Sequence, residues 1–128
     1  MMGRIVRKTK GQLEAEISDA ITSFEKEHMG RGPIETKTYI IDDMIIVRLK
    51  GVLTKAEHAL VEKSDRNGRA RDLIKQVRIE LMENGRPILE DLIKDIIKRK
   101  ISSLHTDIST VSGERIIVFT LEKHPEFL

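Results

Sequence analysis

Cysteine is absent from the 128 residues, which excludes disulfides, thiolate metal sites and cysteine nucleophiles together. Aromatics are scarce as well: Phe24, Tyr39, Phe119 and Phe127, with no tryptophan. Single-stranded nucleic acids are bound by stacking bases on aromatic rings, so this chain is poorly equipped for that task. Long apolar runs are missing. None is longer than Met44-Ile45-Ile46-Val47, whereas a spanning helix needs about 20 apolar residues. A charge excess is missing too. Lys plus Arg number 23 and Asp plus Glu 21, a net charge of +2. That excludes a strongly basic polyanion binder and leaves only local patches.

Side-chain amides are limited to Gln12, Asn67, Gln76 and Asn84. With no cysteine and many Lys and Glu, this is the composition expected of a thermophilic source. The first ten residues carry Arg4, Arg7, Lys8 and Lys10 but no apolar core of a signal peptide, so a cytoplasmic protein is expected. No Gly-x-Ser-x-Gly, Walker loop or Rossmann fingerprint occurs. Nothing in the residues points to an enzyme or to a cofactor.

What is present is a globular balance: 39% hydrophobic and 34% charged residues. The length suits one domain over 1–128, with a basic N-terminal segment at 1–8 and a loose tail at 123–128. Leu13, Ile17, Ala20, Ile21, Phe24 and His28 fall at helical spacing and predict a helix over 9–29. Gly30 is placed to end it and Pro33 to prevent its resumption. Residues 35–41 and 44–50 read as a hairpin turning at Asp42-Asp43. Thr54 and Glu57 fit a capping box that opens a short helix ending near Glu62.

Ala70, Leu73, Ile74, Val77 and Leu81 form an apolar stripe that resumes at Leu89, Leu92, Ile93 and Ile96. Pro87 interrupts the two parts and predicts a kink or a break. Unbroken, residues 68–98 would run about 46 Å, which predicts either a bend or an extension into a partner subunit. Residues 101–110 and 115–122 form a second hairpin. An internal echo links the halves. A shift of 72 carries Ile17, Ile21 and Phe24 onto Leu89, Ile93 and Ile96, and a shift of 71 carries Ile45-Ile46-Val47 onto Ile116-Ile117-Val118. The expected fold is α+β, in the order α-β-β-α-α-β-β, with helices packed on an antiparallel sheet.

Candidate sites are few. Gly30-Arg31-Gly32-Pro33 reads first as a helix stop with a tight turn, and second as a loop offering Arg31 to a carboxylate or a partner. It is not a phosphate cradle, because it follows a helix C-terminus, where free carbonyls disfavour anions. Asn84-Gly85-Arg86-Pro87 reads as a kink or as a corner presenting Arg86 to a partner. Lys94, Lys98, Arg99 and Lys100 complement a helix C-terminus, or form a basic patch for nucleic acid or anionic lipid. His105 and Asp107 share one face of a strand and are a weak metal pair, since two ligands do not make a site. Asp42-Asp43 reads as a solvated turn.

Several long strings resemble the MpsC family. They are Phe24 to Pro33, Thr38 to Thr54 with Glu57 following, Gly85-Arg86-Pro87, Ser103 to Thr110, and Gly113 to Phe119. The similarity runs in unbroken order over roughly residues 10–122. The family is named as the soluble component of a sodium-translocating, membrane potential-generating system. The resemblance implies a cofactor-free accessory protein working beside membrane subunits, and it assigns no site residue.

The reading is therefore a cytoplasmic, non-catalytic interaction protein at the membrane surface. It is expected to be homodimeric through its long helix, with Arg31 and Arg86 as contact residues. Two rivals come from other classes: a nucleic-acid-binding or regulatory module using the basic clusters, and a small enzyme or metal protein using His105 and Asp107.

Overall fold

The computed structural model describes residues 8–63 and 68–128. Residues 1–7 of the expected basic segment at 1–8, and residues 64–67, lie outside the described residues. The elements are α1 (Lys10–His28), β1 (Glu35–Ile41), β2 (Met44–Lys50), α2 (Lys55–Glu62), α3 (Arg69–Ile97), β3 (Ile101–Ser109) and β4 (Glu114–Leu121). The α-β-β-α-α-β-β order and the α+β class are those read from the sequence.

Local chemistry sets the element ends. Thr9 caps α1 in a reciprocal box with Gln12, and Thr54 caps α2 with Glu57. Gly30 follows α1 at φ +97°, a left-handed conformation that glycine adopts without penalty. Asp42 turns the first hairpin at φ +53°, which Asp tolerates because its short side chain bonds locally.

The sheet runs β1-β2-β4-β3, entirely antiparallel. Its inward face carries Ile40, Ile45, Val47, Leu49, Leu104, Ile108, Ile117, Phe119 and Leu121, all buried. α1 and α3 cover this face with Leu13, Ile17, Ile21 and Phe24 and with Met82, Leu89, Ile93 and Ile97. A polar row on α1 stitches it to the edge strand β1. Ser18 bonds Thr38 at 2.8 Å, Thr22 bonds Thr36 at 3.0 Å, and the Ile40 amide donates to Glu14 at 2.8 Å. An exposed edge amide is thereby satisfied.

The internal echo has a structural counterpart. The second strands of the two hairpins, β2 and β4, lie side by side at the sheet centre. Ile46 pairs with Val118, the residue 72 positions later, so a pseudo-two-fold axis passes through that pair. The 71-residue shift is corrected to 72. A shift of 71 would set buried Ile45 on outward-facing Ile116, and one position reverses the face of a strand.

Two other expectations, on the phase of α3 and on His28, are corrected. Of the kink or break expected at Pro87, the break does not occur: α3 runs 29 residues through it. Pro87 has no N–H to donate to the Glu83 carbonyl, and both residues are exposed. The first half of the α3 stripe was assigned the wrong phase. The buried positions are Ile74, Arg78, Met82, Gly85 and Leu89, while Leu73 and Val77 are 57% and 55% exposed. His28 is exposed rather than part of the core, its ring resting 5.0 Å from that of Phe24. In the tail, Leu128 N–H donates to Lys8 O at 2.8 Å, and Arg99 donates to His124 O at 2.9 Å and pairs with Glu126.

Candidate functional site

Strand alternation produces the first candidate surface. Residues between the buried ones point away from the helices: Tyr39 and Ile41 on β1, Met44 and Ile46 on β2, Ile116 and Val118 on β4. Tyr39 and Ile41 are 43% and 46% exposed, and the other four are partly exposed. No described element packs over this face. Charged pairs edge it, Glu35 with Lys50 at 3.8 Å and Arg48 with Glu114 at 2.6 Å. Glu114 raises the proton affinity of Arg48 through that hydrogen bond. An apolar centre with a charged rim is the anatomy of a protein contact surface.

The interior holds a second candidate, a charge cluster that periodicity did not reveal. Arg78 of α3 donates from Nε and Nη2 to both oxygens of Glu57 (3.1 and 2.5 Å) and from Nη2 to Val52 O at 3.0 Å. Arg115 of β4 donates from Nη1 to Thr106 Oγ1 at 2.9 Å. Glu25 of α1 is buried near both guanidinium groups. Among the described residues, both of its oxygens, Arg78 Nη1, and Arg115 Nε and Nη2 have no hydrogen-bond partner.

Burial pushes the Glu25 carboxyl above its ordinary range, and the charges of Arg115 and Arg78 only partly reverse this. Burial likewise lowers the proton affinity of Arg115, with Glu25 opposing; a guanidinium stays charged regardless. For Glu57, burial acts upward, but hydrogen bonds from Arg78 and Thr54 outweigh it and hold the carboxyl below its usual value. Arg115 also lines a cavity of about 200 Å³ between α3 and β3, together with Ile79, Met82, Glu83, Thr106 and Ile108.

The residues singled out from the sequence are dispersed. Arg31 is partly buried and donates to Leu53 O at 3.1 Å and to Gly32 O at 3.3 Å, tying its loop to the α2 approach. Arg86 lies between Glu83 and Glu90 on α3, at 3.6 and 3.5 Å. Lys94, Lys98, Arg99 and Lys100 do come together, around an open cavity of about 370 Å³ that Asp95, Glu122 and Lys123 share. Its charge is mixed rather than uniformly basic.

His105 and Asp107, two positions apart on β3, have different partners. His105 bonds Ser103, while Asp107 accepts from the Ile108 amide and pairs with Lys75 at 3.2 Å. The Ile108 amide and Lys75 hold the Asp107 carboxyl below its ordinary value. Among the described residues, no three His, Asp or Glu side chains stand together as a metal site. No described helix is long and apolar enough to cross a membrane.

The family described as "Na+-translocating membrane potential-generating system (MpsC)" matches residues 9–123. The uncharacterised protein YbcI of Bacillus subtilis (strain 168) is 47% identical over 116 residues, covering 91% of this chain and 90% of the relative. No solved structure shows a significant match. The matched span runs from the α1 cap to just beyond β4, every described element included, and the chain belongs to the MpsC family.

Proposed function

We propose that this chain is a non-catalytic accessory subunit of a membrane cation-translocating, potential-generating system. It works as a homodimer at the cytoplasmic membrane surface. Family membership over residues 9–123 is the observation that carries the reading. The physical features agree with it. The outward sheet face leaves Tyr39, Ile41 and their apolar neighbours uncovered, as a docking protein requires. With no described helix able to span a bilayer, contact with membrane subunits runs through such surfaces. Arg86, half-buried beside its two glutamates, and Arg31 at the α1–β1 loop are the proposed polar contacts.

Affinity capture from detergent-solubilised membranes of the source organism tests this, with mass spectrometry and a nuclease-treated arm. Cation-translocating membrane subunits should be recovered, unchanged by nuclease. Recovery only of nucleic-acid-associated proteins, lost on nuclease treatment, would overturn the reading in favour of nucleic-acid binding. That rival predicts affinity falling steeply with salt.

A further inference from the structure

The cavity between α3 and β3 joins three kinds of wall. Met82 and Ile108 are buried and make its inner part apolar, with half-exposed Ile79 beside the opening. Thr106 and Arg115 supply its polar part. Glu83 and Asp107, both exposed, stand at the mouth. Each of these carboxylates already has a cation of its own, Arg86 at 3.6 Å and Lys75 at 3.2 Å. The mouth is therefore close to neutral, and the charge that remains inside is that of Arg115.

Arg115 is only 2% exposed. Its hydrogen bond runs from Nη1 to Thr106 Oγ1, a neutral group, and Nε and Nη2 have no partner among the described residues. Glu25 faces it from α1, but burial draws that carboxyl toward its neutral form. Arg78 of α3 adds a like charge. A buried cation without a paired anion is destabilising, so a ligand that brings one negative charge is favoured here. The Thr106 oxygen accepts from Arg115, which leaves the hydroxyl proton to be donated. Thr106 is half-buried, so an anion in the cavity can take that proton in a hydrogen bond while lying beside the guanidinium.

The other wall sets the rest of the ligand. A bare inorganic anion would leave Ile79, Met82 and Ile108 against water, whereas a short hydrocarbon chain covers them. The volume, about 200 Å³, is the share of roughly six or seven waters and suits a molecule of about as many non-hydrogen atoms.

We propose that this cavity binds a short aliphatic monocarboxylate, its carboxylate at Thr106 and Arg115 and its chain along Ile79, Met82 and Ile108. This is a ligand site additional to the accessory role and does not rest on it.

Sodium pentanoate is the probe, titrated into the nitrogen-15-labelled full chain and followed by NMR. Saturable shifts of the Thr106, Ile108 and Arg115 amides and of the Arg115 Nε–H signal are expected, with a Kd of about 1 mM or below. Pentanamide has the same shape without the charge, and inorganic phosphate has the charge without the chain. Each should bind at least about tenfold more weakly. Arg115→Met keeps the length of the side chain and should abolish the response. Because Arg115 is buried, Ile79→Trp is the companion variant. It fills the mouth from a half-exposed helical position, so circular dichroism should be unchanged while affinity falls at least about tenfold.

No saturable response to pentanoate would overturn the proposal. Equal affinity for pentanamide would remove the guanidinium from the site, and equal affinity for phosphate would remove the apolar wall; either overturns the assignment. Pentanoate shifts that survive in a folded Ile79→Trp or Arg115→Met chain would place binding elsewhere and overturn it as well.

Discussion

The Phe24 ring occupies the space that a Cβ on Gly85 would need: a methyl there would stand 2.6 Å from Phe24 Cζ and 2.9 Å from Cε1. Gly85 thus lets α1 and α3 approach closely at their crossing, and mid-helix glycine is retained despite its propensity cost. Gly85→Ala should gain up to about 1 kcal/mol of helix propensity and lose about 1–3 kcal/mol to overpacking. The expected net result in urea melts is a destabilised chain. Adding Phe24→Leu should recover part of the loss, because the clashing ring is removed. A Gly85→Ala chain more stable than the natural one would show that Phe24 moves aside freely.

Glu25 gives stability a pH dependence with a definite sign. Its buried carboxyl titrates above the ordinary value, so the folded state holds its proton more tightly than the unfolded state does. The contribution is fully present below the unfolded pKa of 4.5 and is lost as pH rises through the raised folded value. Arg115 and Arg78 face Glu25 and oppose the elevation without cancelling it. Glu25→Gln keeps the shape and removes the titration. The stability difference between variant and natural chain should therefore move in the variant's favour as pH rises from about 4 to about 8. Each unit of elevation adds about 1.4 kcal/mol. A difference that moves toward the natural chain would mean that the two arginines dominate.

The fold was largely legible because its signals are local. The Thr54–Glu57 box, the Asp42-Asp43 turn, Gly30 at the end of α1 and the β-branched run Ile45-Ile46-Val47 each act within a few residues. The phase of α3 was not legible because the helix carries two apolar stripes. Leu73 and Val77 compete with Ile74 and Met82, and the winning face contains a charged residue, Arg78. That residue continues the Ile74–Met82 spacing, a signal visible only if a buried cation is allowed. Arg115 is hidden likewise, since its place in β4 alternation is inward. Glu25 is one carboxylate in the string Phe24-Glu25-Lys26-Glu27, and only three-dimensional proximity to two guanidinium groups distinguishes it. The open sheet face could not be recognised without knowing which face the helices take.

Tyr39 and Ile41 offer a cleaner probe of the open sheet face than its central residues do. They are the most exposed apolar side chains of that face and sit on the edge strand β1, with Ile41 beside the turn. In Tyr39→Thr/Ile41→Thr both new residues are β-branched and favour strands, so strand formation is preserved. Surface changes without buried partners alter stability by about 0.5 kcal/mol or less, and thermal melts of the double variant should overlay the natural chain. Loss of the apolar centre should nevertheless reduce recovery of membrane subunits at least about tenfold, the effect of roughly 1.4 kcal/mol. Undiminished capture by a folded double variant would remove the sheet face as the docking surface. The polar contacts at Arg31 and Arg86 would then be the next positions to change.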